Sequence, residues 1–176
     1  MKLNYRNEID GLRAIAIISV IIYHAKIYFG NKLIFEGGYL GVDIFFVISG
    51  FLISQLIFKE INETKNISLK RFFDRRIRRI IPSLLIVIIF SYPFFFFTLI
   101  PLDLSNYSIS IFYTLGFLSN FHFHYSGIEY GGISSLLKPF LHTWSLAIEE
   151  QFYIIFPFFI LFTIKFLKKH LIIILF

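Results

Sequence analysis

Arg13 and His24 bracket a run of ten residues in which only Ser19 is polar. On an α-helix the eleven steps between them make close to three full turns. Both side chains then point to one side, about 16 Å apart along the axis. A histidine is suited to proton transfer near neutrality, although an interface histidine can equally do no more than hydrogen-bond a carbonyl. Arg13 taken alone reads as a snorkelling residue, and Asp10, three positions earlier, can pair with it on the same face. If the helix spans a bilayer, both groups are costly there, and such groups usually face a bundle interior or a wet cavity.

Three other segments carry chemistry. In FFDRRIRRIIP, Arg75 with Arg78, and Arg76 with Arg79, stand three apart and share a helical face. Arginines so dense attract polyanions and can hold phosphate oxygens bidentately; the alternative is a topology determinant that touches anionic lipid. In LHTWSLAIEEQFYIIFPF, Glu149 and Glu150 lie in an otherwise apolar helix. Ser145 and Tyr153 flank Glu149 at i−4 and i+4, and His142 lies near the same face. Two consecutive acids point in different directions, so at least one needs a partner on another helix. Arg13 and the arginine cluster are the candidate partners, and purely structural polar contacts are the competing reading. In GGYLGVDIFFVISGFLIS, Gly38, Gly41 and Gly50 permit close helix approach, and Asp43 is expected as a lone buried acid.

The elements that must position these groups are transmembrane helices. The chain of 176 residues is 57% hydrophobic and only 16% charged, against about 25% charged in a soluble domain, and its apolar residues come in long runs. The fold class expected is all-α, a multi-span helix bundle. Five spans are predicted, at about 12–28, 39–58, 80–99, 104–121 and 143–166, with LIIILF at the end as the start of a sixth; Pro93 should kink the third. The span at 104–121 is the weakest, because it holds Ser105, Ser108, Ser110, Gly116 and Ser119. A cleaved signal peptide is disfavoured by Glu8 and Asp10 ahead of the first run and by His24 and Lys26 after it.

Lys59 to Arg79 holds eight Lys or Arg, so this loop is expected in the cytoplasm, and the N-terminus with it. Five spans would then put Lys165, Lys168 and Lys169 outside, against the same rule; a fourth segment that does not cross would put them inside. The positive residues cluster between apolar runs, so the net charge of +6 does not point to nucleic acid. Without cysteine, disulfides and thiolate metal sites are excluded, and no metal site is expected. The terminal half-span suggests part of a longer membrane domain.

Four stretches in order, EIDGLRAIAIISVIIYHA, GGYLGVDIFFVISGFLI, FFDRRIRRIIPSL and HTWSLAIEEQFYIIFP, resemble the acyltransferase 3 family of bacterial multi-span enzymes, which acylate sugars of surface polysaccharides and related envelope glycans, lipopolysaccharide among them. The matches span nearly the whole chain, which resembles the N-terminal part of that membrane domain. The family's first-helix signature falls on Arg13 and His24, and its spaced arginine pair on Arg75/Arg78 or Arg76/Arg79. The resemblance implies a protein of the bacterial cytoplasmic membrane. It implies transfer of an acyl group, usually acetyl, from cytoplasmic acyl-CoA as co-substrate to a sugar hydroxyl of a glycan acceptor outside. It makes His24, Arg13 and Glu149 the catalytic candidates and Arg75, Arg76, Arg78 and Arg79 the donor-binding ones. Asp10, Asp43, His142, Ser145, Glu150 and Tyr153 are supporting residues. Two other classes compete: a catalytically silent remnant of such an enzyme, and a non-enzymatic transporter or lipid-binding protein.

Overall fold

A computed structural model describes residues 6–64, 66–126 and 138–166. The start of a sixth span, with Lys168 and Lys169, lies outside the described residues. The described chain is helical apart from one minimal hairpin. It runs α1 (Asn7–His24), β1 (Tyr28–Phe29), β2 (Lys32–Leu33), a 3-10 turn (Glu36–Tyr39), α2 (Leu40–Thr64), α3 (Leu69–Thr98), α4 (Pro101–Leu115), α5 (Ser119–Tyr125) and α6 (Thr143–Phe166). Among the described residues, three helical stretches are long and apolar enough to cross a membrane, at Glu36–Thr64, Leu69–Thr98 and Thr143–Phe166. The chain is a membrane protein, and its parts form two compact units, Met1–Ile67 and Ser68–Phe176.

In the first unit α1 packs on α2 and on the turn before it. α1 begins earlier than the expected 12–28, with Glu8 and Asp10 in its first turn, where acidic groups favour the positive end of the helix dipole. It also ends earlier: Lys26 has φ +47 and Gly30 φ +63, which turns the chain into the antiparallel pair Tyr28↔Leu33 and Phe29↔Lys32. Ala16 is fully buried, and Gly41 is what lets α2 come so close. A Cβ at Gly41 would fall 2.5 Å from the Ala16 carbonyl oxygen and 2.7 Å from Val20 Cγ2. Gly38 likewise meets Ser19 O and Tyr23 Cβ, whereas nothing lies within 4 Å of a Cβ at Gly50. Close approach is therefore the role of Gly38 and Gly41 and not of Gly50.

In the second unit α3 is one helix from Leu69, so the arginine cluster lies in its second and third turns and not in a loop before a span at 80–99. The helix runs on through Pro82 and Pro93. α6 occupies the expected 143–166 and lies antiparallel to α3. Phe73 meets Phe158 (ring centroids 6.3 Å apart), Arg76 meets Tyr153, and α3 from Arg79 to Val87 shares a cleft with Phe140 to Leu146.

The segment expected as one span at 104–121 is instead two helices. α4 has fifteen residues, about 22 Å of rise, short of a bilayer core of about 30 Å. It ends in a reversing turn: the Phe117 N–H donates to Thr114 O (3.1 Å) and the Leu118 N–H to Tyr113 O (2.8 Å). Phe117 sits at φ +53, where glycine is usual. α5 then runs back along α4. Tyr113 stacks on His122 with centroids 4.4 Å apart, and Phe123 returns to a buried cluster with Tyr107, Ile111 and Phe140. Phe95 and Leu99 of α3 and Trp144 of α6 pack on that same cluster, so the end of α3 and the start of α6 lie at one end of the unit.

The close α1–α2 contact makes a simple prediction. Gly41→Val should destabilise the first unit by about 1–3 kcal/mol through overpacking, while Gly50→Ala should leave it unchanged within error. Thermal unfolding in a lipid nanodisc, followed by circular dichroism, reads both.

Candidate functional site

α6 buries one stripe: Thr143, Ala147, Glu150, Tyr153, Pro157, Ile160 and Thr163. The steps are all of three or four residues, the signature of a single helical face. Glu150 sits in mid-stripe at 7% exposure, and its Oε1 has no hydrogen-bond partner among the described residues. Burial of a carboxylate oxygen without a partner is costly, so its neighbours must carry the compensation.

The compensation comes from α3. The Arg76 guanidinium lies over the Tyr153 ring, 4.6 Å from its centroid, and 5.9 Å from that of Phe72. Glu149 and Glu150 both act on Arg76 electrostatically, and Arg79 opposes them. The Tyr153 hydroxyl donates to Glu149 Oε1. One phenol thus binds a carboxylate through its edge and a guanidinium through its face. A cation over an aromatic ring contributes about 0.5–1 kcal/mol when exposed and about 2 when desolvated. Arg76 is half-buried, which favours the upper part of that range.

The four arginines are therefore not equivalent. Arg78 is exposed and held by Asp74 of its own helix through Nε, at 2.9 and 3.0 Å from the two carboxylate oxygens. Arg75 is half-buried. Arg76 and Arg79 are the pair directed at α6. Arg79 lines a cleft of about 430 Å³ whose walls include Ser83, Phe140, His142, Thr143 and Ser145. Of the residues singled out from sequence, the structure brings together Arg76, Arg79, His142, Ser145, Glu149, Glu150 and Tyr153. Ser145 donates to His142 O (3.1 Å).

Arg13, His24, Asp10 and Asp43 belong to the first unit. Arg13 Nη1 lies 3.9 Å from Asp10 Oδ1, a loose pair at the expected spacing. Both Arg13 and His24 lie on the uninterrupted α1, so the shared-face geometry holds. His24 Nδ1 is 2.9 Å from Val20 O. A carbonyl only accepts, so Nδ1 carries the proton and, in the neutral ring, Nε2 carries the lone pair. Asp43 is exposed and not buried as expected: it stands in the first turn of α2, where the helix dipole favours it.

Gln151 was not legible as a site residue. Its Nε2 donates to Phe117 O (2.7 Å) and to Asn120 Oδ1 (2.9 Å), and Asn120 Nδ2 donates back to Gln151 Oε1 at 3.2 Å. It clamps the α4–α5 turn onto α6. Beside it Ser119 Oγ donates to Thr143 O (2.9 Å), and the Thr114 and Thr143 hydroxyls are 3.1 Å apart. The signal was present in the run Glu149–Glu150–Gln151: three successive polar side chains point about 100° apart, so the third needs a partner on a face of its own.

Long apolar helices, with arginines in the second unit turned onto a helix that carries buried polar groups, define an integral-membrane protein. The chain belongs to the acyltransferase 3 family, whose acyltransferase-domain model matches residues 6–176. It is 40% identical over 167 residues to the peptidoglycan O-acetyltransferase OatA of Listeria monocytogenes, covering 94% of this chain and 26% of that protein. It is also 40% identical over 156 residues to the O-acetyltransferase OatA of Staphylococcus aureus, covering 87% of this chain and 24% of that protein. The chain thus spans about a quarter of the length of these relatives. No solved structure matches it significantly.

Gln151→Ala should free the Phe117 carbonyl and the Asn120 amide together. The expected cost is about 1–3 kcal/mol, the penalty for an abandoned buried polar group. The readout is the thermal midpoint, with faster proteolysis near Phe117 as the local signature.

Proposed function

We propose that this chain contributes to acyl transfer, most simply acetyl, from acyl-CoA on the cytoplasmic side to a sugar hydroxyl of a cell-envelope glycan. The observation that carries this reading is the pair Arg76 and Arg79, directed at the polar face of α6 beside a cleft. Guanidinium groups suit the phosphates of coenzyme A. The names of the relatives, both O-acetyltransferases and one of them acting on peptidoglycan, favour a cell-wall glycan over lipopolysaccharide as acceptor.

The residues take the following roles. Arg79 and Arg76 hold the donor phosphates, with Tyr153 and Glu149 fixing Arg76. Arg13 serves the donor side. His24 Nε2 takes the proton of the acceptor hydroxyl; the oxygen attacks the thioester carbonyl, the C–S bond breaks, and the CoA thiolate leaves. His24 keeps its orientation through the Val20 carbonyl, and that bond also stabilises the imidazolium formed on proton transfer.

The orientation proposed follows from α3 and α6 being antiparallel. With Lys70 and Arg71 at the cytoplasmic end of α3, the Lys165 end of α6 is cytoplasmic too, as the distribution of basic residues prefers. The α4–α5 hairpin then enters and leaves on the outer side. Non-helical backbone at membrane depth is tolerated only where protein covers it, and Gln151 provides that cover for Phe117 O.

The test uses membranes carrying the chain, labelled acetyl-CoA and purified peptidoglycan, with base-labile acetate on the glycan as the product. His24→Ala should abolish transfer at unchanged protein level. Arg79→Gln should raise the acetyl-CoA concentration for half-maximal rate about tenfold or more, the loss of one charge-assisted contact, while Arg78→Gln should leave it within about twofold. Transfer by His24→Ala at the parent rate contradicts the catalytic role. Equal effects at Arg78 and Arg79 contradict the donor assignment.

A further inference from the structure

On the other side of the first turns of α6 lies a second, open pocket of about 560 Å³, inside the range of about 300–1,000 Å³ common for small-ligand sites. Phe121, Phe123, Tyr125 and Trp144 supply aromatic surface, and Asn120 and His124 stand among them. Among the described residues the lining carries no Lys, Arg, Asp or Glu, which suits a neutral ligand. Its polar atoms suit one that hydrogen-bonds.

We infer that this α5–α6 pocket is a binding site for a neutral sugar ring, the acceptor subsite of the transfer reaction proposed above and dependent on that reading. The C–H face of a pyranose is apolar and packs on an aromatic ring, while its hydroxyls and amides need donors and acceptors at the ring edge. Trp144 and Tyr125 offer the aromatic surface, and the Tyr125 hydroxyl and the Asn120 amide offer polar groups beside it. Asn120 is held in place by Gln151 through two hydrogen bonds. Of its two N–H donors one is engaged by Gln151, and among the described residues the other is left for a ligand. A lipid chain would fill the same volume but would leave these polar groups unmatched. The pocket lies toward the start of α6, the end it shares with the end of α3, which is the outer end in the proposed orientation. The arginines lie toward the other end of α3, and the cleft that Arg79 lines runs from there to the opposite flank of the start of α6.

Trp144 is the only tryptophan of the chain, so the chain's tryptophan emission comes from a residue that lines this pocket. The chain, in nanodiscs of uncharged lipid, is titrated with tri-N-acetylchitotriose and, separately, with sorbitol as an acyclic polyol. A saturable change in emission with the sugar and none with sorbitol is expected. Tyr125→Ala (81% exposed in the parent, so its removal should spare the fold) and His124→Ala should each raise the half-saturating concentration about fivefold or more, with helical circular dichroism unchanged. No saturable response, a response matched by sorbitol, or one indifferent to both substitutions overturns the proposal. Emission that responds only to a change of lipid chain length assigns the pocket to lipid and overturns it as well. Acetate transfer measured on the same preparation separates the two claims. Transfer without a sugar response defeats the pocket alone; a sugar response without transfer defeats the acyl-transfer reading and leaves a glycan-binding site.

Discussion

A helix that carries two adjacent carboxylates through an apolar environment cannot stand alone. The penalty for burying Glu150, and for half-burying Glu149, must be met by a cation from another helix and by a hydrogen-bond donor. In the second unit the cation is Arg76 and the donor is the Tyr153 hydroxyl. This requirement sets which face of α3 turns toward α6 and leaves Arg78 to pair with Asp74 on its own helix. It also makes the arginine cluster asymmetric: two members look into the helix pair and one is tied up at the surface. Geometry thus shows which arginine pair faces α6, where spacing alone left two choices.

The rest of the second unit follows from the antiparallel pairing. Once α6 begins where α3 ends, the residues between them have no net distance to cover along the helix axes. Residues 101–125 form a short hairpin, α4 out and α5 back, instead of a third long helix. The turn of that hairpin carries its cost openly, with a non-glycine residue at positive φ and a carbonyl that no helix satisfies. Gln151 answers the second problem from α6, so the same three-residue polar run of α6 serves both the arginines and the turn. The two pockets flank the start of α6, one with Arg79, His142 and Ser145, the other with Trp144 and Asn120.

Much of this was legible from residue types. The long apolar runs announced a helical membrane protein, the 143–166 helix was bounded correctly, and the Asp10–Arg13 and Glu149–Tyr153 pairings came directly from helical spacing. What was not legible depended on partners far away in sequence. Spacing could not choose between Arg75/Arg78 and Arg76/Arg79, because the choice is made by Tyr153 more than seventy positions later. The hairpin at 101–125 was read as one weak span because its serines look alike in sequence. Only the packing distinguishes Ser119, buried against Thr143, from Ser108, which returns to its own helix. Asp43 and Gly50 failed for a simpler reason: a polar or small residue in an apolar run need not be on the packed face.

The claim on which the account rests is that α3 and α6 pair antiparallel with the arginine end of α3 against the middle and far end of α6. The absence of cysteine makes it directly measurable by paired substitution and a short bifunctional thiol reagent in native membranes. Phe73→Cys with Phe158→Cys should crosslink efficiently, and Val87→Cys with Phe158→Cys should not. Crosslinking of the second pair without the first would mean a different pairing of the two helices, and the assignment of Arg76 to Tyr153 and the acids would fall with it.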